Sequence, residues 1–334
     1  MKKLLIILAI ILSSVVGWYE FSLRPVDAAD DSRRPVTILS GLSVGDIGGV
    51  LEKRDIIRSA RAFSLYVRLH GLSTALQAGD FLLQKSQSVP QIVATLQSGK
   101  SAEISVTIPE GFTVADIDAL LVQKGLITAG AFTACAQMCD FSGYHFLPAV
   151  GAIAKRGGKV EGYLFPDTYL VFRQNFNADE FLKRLLDTFR KRVVSGLAND
   201  LATSKHALHE IMTMASLIEE ETKTDEERPV VSGILWKRLT AKAGLGVDAT
   251  IRYVLEKPVD VLTRADLDVD SPYNLRKYRG LPPGPIANPG MASIKAALHP
   301  QESTYWYYLH GKDGIIRYAE TNDEHNRNKV LYLP

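Results

Sequence analysis

Three adjacent glutamates, Glu219, Glu220 and Glu221, end a segment of residues 207–221 whose spacing predicts an amphipathic helix. At about 100° per residue, Glu219 falls in the apolar stripe of that helix, whereas Glu220 and Glu221 turn away by about 100° and 200°. A carboxyl group on a partly buried apolar face resists ionisation, which suits a general acid at neutral pH. The stripe consists of Leu208, Ile211, Met212 and Ala215. The pattern predicts Glu219 as a general acid/base.

A structural alternative fits the same helix. Glu219 could lie just past the buried part and pair with a cation such as Arg228 or Arg252. The later segment 273–290 favours catalysis, because it combines tyrosine and asparagine with stiff Gly-Pro turns of the kind that line clefts. Such side chains offer sugars flat apolar contact and hydrogen bonds. The same loop could also be a rigid structural connection, so both interpretations stay open on these residues alone.

An internal repeat precedes this region. Residues 36–47 recur as residues 106–117, and each copy predicts a short strand, a glycine turn and a helix. Ser43 and Thr113 stand at the N-cap of the two helices, each followed three residues later by an aspartate. The two copies predict similar local structures.

The first copy also contains a G-x-S-x-G pattern over residues 41–45, which is typical of a hydrolase nucleophile turn. The second copy has Thr113 and Ala115 at the matching positions. A helix cap tolerates these exchanges, whereas a strained nucleophile turn would not. We therefore interpret Ser43 as a helix cap.

Cys135 and Cys139 lie on one face of a predicted helix. They could form a bridge or stay reduced, and two thiols are too few for a zinc site. The favoured interpretation is two small core residues without a chemical role.

The N-terminus predicts contact with a membrane. Lys2 and Lys3 precede an uncharged apolar run from Leu4 to Tyr19, which is shorter than the ~20 residues of an average span but carries interfacial aromatic residues. An uncleaved anchor through residues 4–21 is favoured over a signal peptide, since no A-x-A-like cleavage site follows directly. The N-terminus is then cytoplasmic and the remainder extracytoplasmic, in the inner (cytoplasmic) membrane. A net charge of +2 from 39 basic and 37 acidic residues gives no broad cationic field, so nucleic acid is not an expected partner.

Several motifs together resemble the endolytic murein transglycosylase family, also called YceG-like. They occur in that family's order, at residues 161–169, 215–222, 247–250, 273–286 and 297–300. The resemblance implies an α+β fold in four parts: a transmembrane anchor over 1–23, a stalk over 24–35, a LysM-like α/β module over 36–105 and a catalytic α+β domain over 106–334.

The resemblance also implies a reaction and a site. The reaction is cleavage of MurNAc-GlcNAc β-1,4 bonds inside peptidoglycan glycan strands with 1,6-anhydro-MurNAc ends, Glu219 being the catalytic acid/base. No metal or cofactor is implied, and peptidoglycan synthases are a further expected partner. The implied substrate-binding residues are Glu161, Tyr163, Phe165, Asp167, Tyr169, Asp248, Thr250, Tyr273, Asn274 and Pro283.

Some roles stay open at this level. Asp248, Asp167 and Glu221 are candidates for a second carboxylate, and Glu220 is an extra acid beside Glu219. A non-enzymatic peptidoglycan-binding scaffold is the main alternative function. A zinc peptidase would need His206, His209 and Glu210, but their H-x-x-H-E spacing is not the H-E-x-x-H of such enzymes.

Overall fold

The computed structural model describes residues 2–98, 103–149, 157–173, 176–256 and 262–333. Helices alternate with small two-stranded sheets, which confirms the predicted α+β class. The chain divides into two compact units. The first comprises Met1–Ser105 and Leu170–Phe176, and the second comprises Val106–Tyr169 and Asn177–Pro334.

Helix α1 spans Lys2–Leu23 and covers the predicted membrane segment of residues 4–21. Within the part of the chain that the structure describes, no helix combines the length and the apolar character that a membrane crossing needs. The predicted transmembrane anchor is therefore not confirmed.

The first unit contains an antiparallel pair of strands, with Val36 of one strand opposite Phe81 of the other. Both side chains are fully buried and pack in one core with Leu51 and Phe63. The strands are β1 (Arg34–Ile38) and β2 (Gly79–Leu83), and the helices after α1 are α2 (Val44–Lys53), α3 (Ala60–Leu69) and α4 (Val89–Gln97). The order after α1 is therefore strand, helix, helix, strand, helix.

The two copies of the repeat begin their helices in the same way. Ser43 caps α2 and Thr113 caps α5 (Val114–Gln123), and each hydroxyl accepts a hydrogen bond from the backbone N–H of the aspartate three residues on. Gly41 and Gly111 precede these caps with φ of 84° and 79°. Only glycine adopts this left-handed conformation at little cost. The capping interpretation of Ser43 is confirmed.

The second unit is mostly helical. Its elements are β3 (Glu103–Thr107), α5, α6 (Ala131–Met138), β4 (Thr168–Phe172), α7 (Ala178–Phe189), α8 (Ala198–Thr203), α9 (Leu208–Glu221), α10 (Glu227–Thr240), α11 (Ala249–Leu255), α12 (Arg264–Leu267), α13 (Met291–Leu298), β5 (Tyr307–His310), β6 (Ile316–Ala319) and α14 (Asn322–Tyr332). Strands β3 and β4 also contain residues that belong to the first unit. Strand β3 pairs with β4, and β5 pairs with β6. A short 3₁₀ turn covers Gly158–Val160, and a π-helical turn extends α7 over Arg190–Ser195.

Cys135 and Cys139 are joined by a disulfide at the end of α6, with their α-carbons 4.8 Å apart. This separation lies within the range that a disulfide spans. The sequence left the bridged and the reduced states open, and the structure has the bridge, because one helical turn brings the two sulfurs together.

Helix α9 is buried on every face rather than along one stripe. Each residue from Ile211 to Ile218 is buried, and the helix packs against α10, α11 and α13. Two polar side chains in this run are satisfied locally: Thr213 donates to the His209 carbonyl at 2.7 Å, and Ser216 donates to the Thr213 carbonyl at 2.7 Å. The predicted stripe was too narrow, and Glu219 is the first α9 residue beyond this buried run.

Candidate active site

Glu219 lies at the C-terminal end of α9 with only 9% of its side chain exposed. Its Oε2 accepts a hydrogen bond of 3.0 Å from the backbone N–H of Gly290, which caps α13. Its Oε1 lies 3.5 Å from Nη2 of Arg228. The ion pair that the structural alternative predicted is therefore present, although it is enclosed rather than at the surface.

Arg228 is held in place by two further contacts. Its Nε donates to Ser293 Oγ at 3.0 Å, and its Nη1 forms an ion pair with Asp225. The Arg228 side chain is 10% exposed. A buried charge without an opposite charge beside it is costly, so the ion pair holds the Glu219 carboxylate in one position.

A second carboxylate, Glu110, lies beside Gly290. A β-carbon built on Gly290 would be 1.9 Å from Oε1 of Glu110, so this carboxylate fills the space that any other residue would need. Glu110 and Glu219 therefore approach the same backbone position, one over its α-carbon and the other at its amide.

Glu220 brings a third carboxylate close to the same turn. A β-carbon on Gly111 would lie 3.2 Å from Oε1 of Glu220 and 3.9 Å from Cγ of Glu219. Burial, and then the negative charge of Glu219, raise the pKa of both Glu110 and Glu220. Solvent nevertheless reaches Glu220, which is an exposed residue. Glu110 and Glu220 thus favour retaining a proton more than exposed glutamates do. Glu110, Glu219 and Glu220 are called the acid cluster below.

Asn288 joins the turn that carries Glu110 to the loop that carries Gly290. Its carbonyl accepts from Gly111 N–H at 2.9 Å, and its own N–H donates to the Phe112 carbonyl at 2.9 Å. Its side chain, fully buried, donates to the same Phe112 carbonyl and accepts from Leu164 N–H at 2.8 Å. These contacts set the position of Glu110 relative to Gly290.

Sequence reasoning missed Glu110. It stands in the second copy of the repeat where the first copy has Ser40, so the two copies differ in charge at one position of an otherwise similar turn. That difference was the available signal. The contact between Glu110 and Gly290 joins residues 180 positions apart (290 − 110), and no local pattern encodes it.

Glu161, a predicted substrate-binding residue, is buried and has partners within the protein. Its Oε1 accepts from Val114 N–H at 3.0 Å, and its Oε2 accepts from the Tyr253 hydroxyl at 3.2 Å. Burial raises the pKa of Glu161 to about 8 despite these hydrogen bonds. The side-chain amide of Asn288, which donates to the Phe112 carbonyl, also donates to Oε1 of Glu161 at 3.4 Å.

His209 forms hydrogen bonds with both Tyr163 and Pro283. The fully buried Tyr163 places its hydroxyl 2.9 Å from Nδ1 of His209, and Nε2 of the same ring lies 2.8 Å from the Pro283 carbonyl. His206 instead stacks on Trp236, with ring centroids 3.7 Å apart. The two histidines of the zinc peptidase alternative thus make separate contacts. The one group of three metal-ligand side chains found among the described residues is Cys135, Cys139 and Asp179, whose two sulfurs form the disulfide.

The other predicted aromatic residues of this stretch are in the core. Phe165 and Tyr169 are buried, and the Tyr169 hydroxyl donates to the Phe165 carbonyl at 2.6 Å. Asp167 is partly exposed, with its carboxylate 3.7 Å from Arg192. Its carbonyl accepts from Ile108 N–H at 2.9 Å, which extends the pairing of β3 with β4.

The remaining predicted residues lie around α11 and the loop after α12. Asp248 forms a two-pronged ion pair with Arg276, at 2.7 and 2.8 Å. Thr250 is fully buried and donates to the Val247 carbonyl at 2.8 Å. Asn274 is also fully buried and donates to the carbonyls of Leu267 and Val269, each at 2.9 Å.

Tyr273 differs from these neighbours. Its ring is buried against Tyr253, with centroids 5.5 Å apart, and among the described residues its hydroxyl has no hydrogen-bond partner. Because Tyr253 in turn contacts Glu161, the structure brings Tyr273 and Glu161 into one neighbourhood. Thr250 and Asn274, in contrast, bond to backbone carbonyls close to them in the chain.

The arrangement combines carboxyl groups that favour a proton with one paired to a buried arginine. Such a set can donate a proton to a leaving oxygen and accept a proton from an attacking hydroxyl.

Comparisons with known proteins identify the family. A model of the YceG-like family matches residues 36–330. An endolytic murein transglycosylase of Bacillus subtilis strain 168 is 32% identical over 320 residues, covering 93% of this chain and 88% of its own. One from Streptococcus pneumoniae serotype 2 is 29% identical over 98% of this chain, which spans 64% of that relative's length.

A solved structure agrees with these matches. The crystal structure of a putative YceG-like protein from Listeria monocytogenes aligns with a TM-score of 0.63 and 30% identity, covering 89% of this chain and 99% of its own. Because the family model matches nearly the whole chain, this protein belongs to the YceG-like family.

Proposed function

We propose that this protein is an endolytic lytic transglycosylase that cuts the glycan strands of peptidoglycan at MurNAc-GlcNAc β-1,4 bonds. The observation that carries the proposal is the acid cluster, in which Glu219 is positioned by Arg228 and Gly290 beside Glu110. The names of the Bacillus and Streptococcus relatives supply the substrate class. Since murein lies outside the cytoplasm, the proposal places the second unit there as well.

In the first step, a proton from the acid cluster passes to the glycosidic oxygen and the bond from MurNAc C1 to that oxygen breaks. We assign this transfer to the carboxyl group of Glu219, with Glu110 and Glu220 as its acidic neighbours. Positive charge develops at C1 as the bond breaks, and a carboxylate nearby stabilises it.

In the second step, the C6 hydroxyl of the same MurNAc attacks C1 and gives its proton to the Glu219 carboxylate. The new bond closes a 1,6-anhydro ring, and no water is consumed. The enzyme regains the proton that it donated, so one carboxyl group serves as acid and then as base.

The first unit has a supporting role in this proposal. Its strand, helix, helix, strand order over β1, α2, α3 and β2 suits a LysM-like module that binds N-acetyl sugars. Ser43 contributes to its folding rather than to chemistry, because the hydroxyl is engaged with Asp46.

The test is digestion of purified peptidoglycan by the full-length chain, with the ends of the products identified by mass spectrometry. Wild type should release fragments with 1,6-anhydro ends. Glu219→Gln should lose activity by at least about 100-fold, the usual contribution of a positioned acid/base. Glu110→Gln should lose less, because it removes an acidic neighbour and leaves Glu219 in place.

Glu180→Gln is the matched control, since Glu180 is an exposed glutamate of α7. It should digest at the wild-type rate. Reducing ends in place of anhydro ends would mean a hydrolase, and binding without fragments from any variant would mean a peptidoglycan-binding scaffold. Equal rates for wild type and Glu219→Gln would remove Glu219 from the mechanism.

A further inference from the structure

A cavity of about 670 Å³ lies beyond the C-terminal end of α9, lined by residues of α10, α11, α14 and strand β5. This volume is in the usual range for small-molecule sites. Glu221 forms part of its wall, two residues after Glu219 on the same helix. Lys329 and Asn322 also line it and are exposed, so solvent reaches this side of the cavity.

The cavity wall carries an excess of positive charge. Four permanent cations line it, namely Arg238, Arg252, Arg276 and Lys329. The acidic residues in the wall are Glu221 and Asp248. Asp248 is neutralised by the two-pronged pair with Arg276, which cancels one cation. Even with Glu221 ionised, two positive charges remain uncompensated in the wall.

Glu221 offsets less of this charge than an exposed glutamate would. Its Oε2 accepts a hydrogen bond of 2.9 Å from the Tyr308 hydroxyl. Burial raises the pKa of Glu221, although Arg252 and Arg238 oppose that shift. The carboxyl group thus favours its neutral form more than an exposed glutamate does, and Arg238, Arg252 and Lys329 stay without full compensation.

His325, another residue of the cavity wall, lies close to two of these cations. Burial lowers the pKa of His325, and the charges of Lys329 and Arg238 lower it further. Its ring stacks on Tyr307, with centroids 5.0 Å apart. Its buried Nδ1 has no hydrogen-bond partner among the residues that the structure describes. A buried polar atom without a partner is costly, and His325 is one of the residues that line the cavity.

The cavity is coupled to the acid cluster through Arg252. The charge of this arginine acts on both Glu220, which belongs to the cluster, and Glu221, which lines the cavity. Arg252 thus acts electrostatically on both the acid cluster and the cavity wall. A polymer bound at Glu219 could place a side branch in this cavity.

We propose that the cavity binds a carboxylate of the peptide stems that branch from the glycan strand, with Arg252, Arg238 and Lys329 as the cationic contacts. The inference rests on the proposed function for the identity of the substrate. Guanidinium groups bind carboxylates through charge-assisted hydrogen bonds, which are stronger than neutral ones. The site would favour strands that still carry peptides.

The test is calorimetric titration of the full-length chain with a soluble disaccharide-peptide fragment of peptidoglycan that has free carboxylates. The same fragment with its carboxylates converted to carboxamides is the paired probe. Wild type should bind the carboxylate form about tenfold more tightly, as expected for charge-assisted contacts. Arg252→Gln and Lys329→Gln should each reduce that preference about threefold or more.

Lys191→Gln is the matched control, since Lys191 is an exposed lysine of the same unit that does not line the cavity. It should keep the full preference. Equal binding of the two fragments by wild type would overturn the inference, as would a preference unchanged in Arg252→Gln and Lys329→Gln. Inorganic phosphate that displaces the fragment more effectively than acetate does would identify a phosphate site and overturn the carboxylate assignment.

The outcome of this titration is separate from that of the proposed function, because a GlcNAc-MurNAc disaccharide contains no MurNAc-GlcNAc bond for the enzyme to cut. A chain that shows the carboxylate preference but digests no peptidoglycan would support the cavity and defeat the proposed reaction. A chain that digests peptidoglycan but binds both fragments equally would support the proposed reaction and overturn the carboxylate site.

Discussion

The carboxylate of Glu110 occupies the space beside the α-carbon of Gly290 where any other residue would place its β-carbon, with only 1.9 Å between that β-carbon and Oε1. The φ and ψ of Gly290 are −73° and 169°, values that all residues adopt, so glycine is needed here for space alone. Its amide simultaneously binds Glu219. One small residue therefore lets two carboxylates converge.

Replacing Gly290 tests this convergence. We expect Gly290→Ala to fold, because the flexible end of Glu110 can move away, but to lose about tenfold or more in strand cleavage as Glu110 is displaced. In a Glu110→Ala background the same replacement should have little further effect. Cleavage rates and thermal unfolding of the four proteins form a double-mutant cycle, and independent, additive losses would contradict the prediction.

The ion pair of Arg228 with Glu219 predicts a coupling in stability. Arg228→Met leaves a buried carboxylate without its counter-charge, which typically costs about 3–5 kcal/mol of unfolding free energy. The same replacement in a Glu219→Gln background should cost at least about 1 kcal/mol less, because no charge is then left unpaired. Denaturant unfolding measures both. Equal costs in the two backgrounds would show that Arg228 acts only through Ser293 and Asp225.

Glu161 predicts a pH dependence of stability. Its pKa is raised by burial from 4.5 to about 8, so the folded state holds a proton that the unfolded state releases. The associated stability is present below about pH 4.5 and is lost as pH rises to about 8, with a slope of up to about 1.4 kcal/mol per pH unit. Glu161→Gln should flatten this decline, and denaturant unfolding at several pH values measures it.

The glutamine fits the same contacts, since its oxygen can accept from Val114 N–H and its amide can donate to the Tyr253 hydroxyl. Exposed Glu180 is again the control, and Glu180→Gln should leave the slope unchanged. A wild-type slope that persists in Glu161→Gln would assign the decline to other groups.

Ser43 predicts a structural effect without a catalytic one. Ser43→Ala removes the N-cap of α2 and should cost about 1 kcal/mol of unfolding free energy. Ser43→Asn should restore most of it, because asparagine is also a good cap and adds no charge beside Asp46. Strand cleavage by the folded fraction should stay at the wild-type rate in both variants. A loss of cleavage in Ser43→Asn at full stability would revive the nucleophile interpretation.

Some features were predictable because they depend on neighbours along the chain. The caps at Ser43 and Thr113 follow from a hydroxyl and an aspartate three residues apart, and both were confirmed. Helix α9 and the position of Glu219 near its end were also predictable. The prediction of a membrane span was not confirmed, and the roles of the predicted substrate-binding residues stay predictions.

The sequence by itself determined helix α9, the caps of α2 and α5 and the family, because each depends on residue types at short or ordered spacings. Only the tertiary structure decided which residues contact Glu219. Arg228 is nine residues away, while Gly290 and Glu110 come from loops on either side of α9 in the chain, and long-range packing through Asn288 brings those loops together. Local periodicity gives the direction of a side chain on its helix but carries no information about which distant loop covers it.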